Sequence, residues 1–315
     1  MDALRHALEW SARRGGALLA VGIFAGLLTP PLAAALRDVI TPVVATLMTL
    51  VLLRVDPAQL LATLRRPVLV AALLAWLLLA CPLLAWLMAR ATGLDGPLGA
   101  ALVIMATGCA ATSSPAFARL VGLDGELSLV VAVLSTLLVP LTAPPLALGL
   151  LGVDLAISVG GLMTRLALVV GLPLLLSLAI RRVSPPGLLD RWGRAVDGAV
   201  VLLVVLYGFG VMDGVLARLL AEPSFVLGGV ALAFAGSFGL NAATALAFAP
   251  ASGRRAALSA GLLSGNRNMA LYLAVLPAAT DPRVLLFFAL CQFPLFLSPF
   301  LLRPVYAMLG TRAAA

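Results

Sequence analysis

Apolar stretches long enough to cross a bilayer recur along the whole chain, separated by short polar breaks. A hydrocarbon core of about 30 Å calls for roughly 17–25 helical residues. Ten stretches come close to that length, at 17–36, 39–54, 68–89, 97–118, 127–150, 159–180, 198–217, 225–248, 256–279 and 284–309. The first carries Pro30 and Pro31 inside it and reads as a kinked span. The alternative is a secretory leader cut near the small residues Ala33 to Ala35, and the apolar run continues too far to favour it. Asp56 to Arg66 (DPAQLLATLRR) predicts a short interfacial helix, and Arg181 to Asp197 is the longest polar connection.

That connection divides the chain into two halves of five spans. The expected layout is a segment 1–16, a first repeat 17–180, a loop 181–197, a second repeat 198–309 and a tail 310–315. Five is odd, so the halves run in opposite directions, as in an inverted repeat. Internal echoes agree. Pro140 and Pro144 in the fifth span answer Pro294 and Pro299 in the tenth, and GCAATSSP in the fourth answers SGNRN in the ninth. The arginines supply orientation. With the N-terminus inside, only Arg37, Arg90, Arg165, Arg218 and Arg283 fall outside; apart from the mid-span Arg267, all others fall on the inner side. The positive-inside rule then places both termini in the cytoplasm of a cell (inner) membrane.

Composition removes the soluble classes. Hydrophobic residues make up 63% of the 315 and charged residues 11%, against about 45–50% and 25% in soluble domains. The formal charge of +8 comes entirely from scattered arginines without aromatic interleaving, so nucleic acid is not an expected partner. The lipid bilayer is. Cys81, Cys109 and Cys291 lie far apart in apolar runs, and His6 is the single histidine, so neither a disulfide framework nor histidine-ligated metal is expected. An embedded enzyme needs a nucleophile with its base, paired carboxylates or metal ligands at one depth; no such group is apparent. A channel needs polar residues along several spans, and here they gather at one depth.

That depth is set by the two interrupted spans. Thr112, Ser113 and Ser114 precede Pro115. On a regular helix three successive side chains spread over about 200°, whereas a break at the proline frees backbone groups and lets all three hydroxyls face a cavity. The plain alternative is that they bond carbonyls one turn back. In the ninth span Ser264, Gly265, Asn266, Arg267 and Asn268 are consecutive. Arg267 lies about eleven residues past Ala256, roughly 17 Å deep at 1.5 Å per residue, too deep for easy snorkelling. A mid-membrane arginine costs about 2.5–3.5 kcal/mol on insertion scales. Without an acid in a span core its guanidinium must find helix-end carbonyls, water or an anionic ligand. Asn241, alone in the eighth span, is a weaker candidate.

These broken segments resemble the bile acid:sodium symporters. The stretch SSPAFARLVGLDGELSLVVAVLSTLLVPLTAP is similar to that family's fourth and fifth spans, and SGNRNMALYLAVLP to its ninth. The resemblance implies ten spans in a panel and a core domain, fourth and ninth helices that are broken and cross, and organic anions as substrates. It also implies sodium sites, and there the chain departs. Ser114 and Ser128 stand where serines are expected, with Ser264 a further candidate oxygen. Pro115 replaces an asparagine, Ala132 a threonine, Leu263 a glutamate and Arg267 a glutamine. A related branch, the arsenite permeases, places a cysteine near Cys109 but also uses the missing glutamate.

The reading is an all-α secondary transporter for a small organic anion, working by alternating access. Thr112, Ser113, Ser114, Asn266, Arg267, Asn268 and Asn241 are the substrate-binding candidates, and Ser114, Ser128 and Ser264 the residual ion-site candidates. No cofactor or metal is expected. Sodium coupling stays open but disfavoured: at about 4 Å and an effective dielectric near 20, a guanidinium repels a sodium ion by about 4 kcal/mol, nearly a thousandfold in affinity.

Overall fold

The computed structural model describes residues 2–55, 66–151, 157–185, 187–277 and 279–309. Those residues are mostly helical and form no strand; the one β-type pairing among them is an isolated antiparallel bridge between Ala110 and Arg267. Among the described residues six helices are long and apolar enough to cross a membrane, and the number rises to eight if each of two sharply bent helix pairs is counted as one span. Backbone groups in lipid must be satisfied within the protein, which is why so apolar a chain is so fully helical.

The chain forms two compact units, Met1–Asp56 with Leu168–Pro223, and Pro57–Ala167 with Ser224–Ala315. The first contains α1 (Asp2–Arg13), α2 (Gly15–Leu28), α3 (Pro30–Arg37), α4 (Ile40–Leu53), the later part of α9 (Val159–Val183), α10 (Leu188–Val211) and α11 (Val215–Ala221). Helices α1 to α4 all pack on α10. At Gly26 a Cβ would sit 2.7 Å from the Phe209 carbonyl oxygen, so the close approach of α2 to α10 needs a glycine there. Pro30 and Pro31 open α3 rather than kinking a continuous span, because proline lacks the N–H that a helix interior requires.

The expected connection 181–197 is corrected. Helix α9 runs to Val183 and α10 starts at Leu188. The polar residues that suggested a loop are satisfied within this unit: Arg54 pairs with Asp197 at 2.9 Å, and Arg181 donates to the carbonyls of Leu53 and Val55. The interfacial helix expected at Asp56–Arg66 lies, apart from Arg66, outside the described residues, as does the tail 310–315.

The second unit contains α5 (Pro67–Ala91), α6 (Pro97–Thr107), α7 (Ser114–Leu120), α8 (Gly125–Leu151), α12 (Pro223–Ser252), α13 (Arg254–Gly265), α14 (Met269–Val275), α15 (Pro282–Leu290) and α16 (Gln292–Met308). Its core gathers around α8, which packs on α5, α6, α7 and α13. Inside α5, residues Trp76–Ala80 form a π-turn, so that the N–H of Cys81 bonds to the carbonyl of Trp76.

Candidate functional site

Both interruptions expected from sequence are present. Helix α6 stops at Thr107 and α7 begins at Ser114; α13 stops at Gly265 and α14 begins at Met269. The two breaks meet. Ala111 N–H donates to the Asn266 carbonyl at 2.8 Å, and Asn268 N–H donates to the Cys109 carbonyl at 2.9 Å. These reciprocal bonds flank Ala110 and Arg267 as in one rung of an antiparallel ladder. A third bond, from Ala110 N–H to Ser135 Oγ on α8 at 3.3 Å, ties the junction to the core. Each break thereby satisfies the groups that the other exposes.

Arg267 sits at this junction, 3% exposed. Its Nε donates to the Ser264 carbonyl at 2.7 Å, and its Nη1 to the carbonyls of Gly108 at 2.8 Å and Leu77 at 3.0 Å. Gly108 and Ser264 lie at the C-terminal ends of α6 and α13, where helix carbonyls lack intrahelical partners and the dipoles favour a cation. Leu77 is free for a different reason. In the π register its carbonyl is due the N–H of residue 82, which is Pro82 and has none. The guanidinium thus takes the helix-end carbonyls foreseen as one of its three possible partners. None of the four ion pairs among the described residues involves it, and its Nη2 makes no hydrogen bond within them.

The other candidates divide. Ser114 is fully buried and its hydroxyl has no partner among the described residues, while Thr112 and Ser113 are partly exposed. Asn266 is buried and donates to Ser298 Oγ at 3.1 Å. Asn268 is buried beside Cys109. Asn241 donates to Tyr306 Oη at 2.9 Å, a helix-to-helix bond. Ser128 is buried, and its hydroxyl donates to the Asp124 carbonyl one turn back at 2.7 Å. Ser264 contributes a carbonyl to Arg267.

Where the resemblance implied ion-binding oxygens, the packing is apolar. Ala132 and Leu263 belong to one buried cluster with Leu77, Ala110 and Val131. Cys109 is a buried free thiol whose neighbours are Thr136, Asn268 and Arg267. Sequence reasoning missed Ser135, Thr107, Ser237 and Tyr272. The Thr107 hydroxyl is hydrogen-bonded to Tyr272 Oη, and Ser237 Oγ donates to the Gly265 carbonyl at 2.9 Å. The signal for Ser237 was spacing, since Ser237 and Asn241 are four apart and share a face of α12. A cavity of about 450 Å³ lies at the far end of α6, lined by Trp86, Arg90, Asp95, Pro97, Thr280 and Asp281 among others.

These features define an integral membrane protein with a buried polar junction between two broken helices. A model of the Sodium Bile acid symporter family matches residues 41–216, more than half of the chain and including the first break. The chain belongs to that family. Its members are transporters rather than enzymes. No curated protein matches the chain.

Proposed function

We propose that the protein is a secondary carrier that moves a small organic anion, such as a carboxylate or a bile-acid-like or sterol-sulfate-like molecule, by alternating access. One observation carries this reading: a buried guanidinium with no carboxylate partner among the described residues holds together two helix breaks. A desolvated cation that lacks a counter-charge favours an anionic ligand, and Arg267 keeps Nη2 without a hydrogen bond. The partly exposed Thr112 and Ser113 supply hydroxyls in the first break, where the buried Ser114 hydroxyl has no partner among the described residues. Asn266 and Asn268 complete the candidate set.

Ten crossings suit this reading, eight from the long and bent helices and two from the interrupted ones. The halves are then inverted repeats with both termini cytoplasmic, and the two compact units take the parts of panel and core. Carriers of this kind bind substrate where half-helices end near the midplane.

Counterflow in proteoliposomes tests the function. Liposomes preloaded with a transported anion should transiently accumulate the labelled anion above equilibrium, with a saturable rate. A linear, unsaturable flux without counterflow would mean a channel instead.

A further inference from the structure

We propose that the carbonyls of Leu77, Gly108 and Ser264 form a receptor for a planar guanidinium-type cation, and that this chain fills it permanently with the side chain of Arg267. The three oxygens come from α5 and from the ends of α6 and α13, and they converge on one guanidinium at 2.7–3.0 Å. Each is released by a separate backbone event: the π-turn before Pro82, the stop of α6 after Thr107, and the stop of α13 at Gly265. Unwound carbonyls and the C-terminal ends of half-helices are the groups with which membrane carriers hold dissociable cations.

The consequence is a cation that neutralises charge at the junction and cannot leave. A dissociable ion couples its own gradient to the movement of substrate; a tethered one does not. The Arg267 side chain stabilises the crossing of the breaks in every state of the cycle, so assembly of the junction needs no ion from solution. This proposal concerns the junction on which the carrier reading rests. Its readout is stability, so it survives or fails whether or not an organic anion is transported.

The test removes the side chain and returns the cation. Full-length Arg267→Ala in detergent or nanodiscs should melt lower by roughly 5–10 °C, the scale set by losing a few kcal/mol in a chain of this size. Methylguanidinium, titrated to the low millimolar range, should recover at least half of that fall. Urea has the same planar shape without the charge and should recover none. Wild-type protein should not respond to methylguanidinium at these concentrations, because its receptor is full. Equal effects of methylguanidinium and urea, or an equal response of wild type and Arg267→Ala, would overturn the proposal. If Arg267→Ala does not accumulate, Arg267→Lys and Arg267→Met replace it: Lys keeps the charge as a point donor and Met keeps only bulk. Lys melting above Met supports a cation receptor, and Lys melting no higher than Met overturns it.

Discussion

The Nη1 of Arg267 lies 3.0 Å from the carbonyl oxygen of Leu77, across 190 residues of sequence, and Pro82 is the reason that oxygen is free. A proline that releases a carbonyl and an arginine that collects it act as one device. The same guanidinium closes the ends of two other helices, so its charge is spread over backbone dipoles, with no acid beside it among the described residues.

Pro82 and Arg267 should therefore be energetically coupled. In the native protein Pro82→Ala restores an N–H that competes with Arg267 for the Leu77 carbonyl. In an Arg267→Gln background the same N–H satisfies an oxygen that has lost its donor. Pro82→Ala should be more favourable in that background by about 1–2 kcal/mol, the worth of a hydrogen bond to a buried group. Thermal midpoints of the four proteins in the cycle measure it, and simple additivity would sever the link.

Close packing beneath the second break should be intolerant of a single methyl. At Gly265 a Cβ would stand 2.5 Å from the Ser237 carbonyl oxygen on α12, whereas at Gly239 nothing lies within 4 Å. Gly265→Ala should cost about 1–3 kcal/mol through forced separation of α12 and α13. Gly239→Ala should be neutral or stabilising by up to about 1 kcal/mol. Equal midpoints for the two variants would mean that the helices do not touch as described.

Hydropathy marked the apolar helices, and Pro115, Gly265 and their polar neighbours marked both breaks, because residue types that disfavour continuous helix act locally. The lack of an acidic partner for Arg267 among the described residues was also readable. Its carbonyl partners were not, since the freeing of Leu77 depends on a π register that no side-chain pattern announces. The 188–197 segment is helical although its charges suggest a loop, because Arg191 and Arg194 lie on the exposed face of α10 while Gly193 and Ala195 are buried. The meeting of the breaks came from the family resemblance; spacing alone does not reveal it.

Asn241 is a candidate site residue whose side chain bonds a neighbouring helix. Its side-chain amide is 2.9 Å from Tyr306 Oη. Asn241→Leu should lower stability by about 0.5–2 kcal/mol, the range for interhelical hydrogen bonds in lipid, and leave the dissociation constant of a transported anion unchanged. Calorimetry and thermal unfolding of the same preparation separate the two readouts. A weakened anion affinity with unchanged stability would return Asn241 to the binding site.

The inverted arrangement predicts the sidedness of single cysteines placed in a cysteine-free background. Positions 95 and 281 should react with an impermeant maleimide from outside intact cells, and position 191 only after permeabilisation. Reaction of position 191 from outside would reverse the topology.

On the proposed reading, an anion carrier of this family works around its own fixed cation. Ser114 and Ser128 keep two hydroxyls, but Ala132 and Leu263 are packed into apolar core where oxygens would be needed, and Arg267 already holds the junction carbonyls. The most direct measurement is anion uptake into proteoliposomes with external sodium replaced by potassium or choline, at constant membrane potential. The initial rate should be the same in all three, within about a factor of two, because a repulsion of about 4 kcal/mol from the nearby guanidinium keeps sodium out of the site. A steep loss of rate without sodium, with a Hill slope above one for sodium, would contradict it.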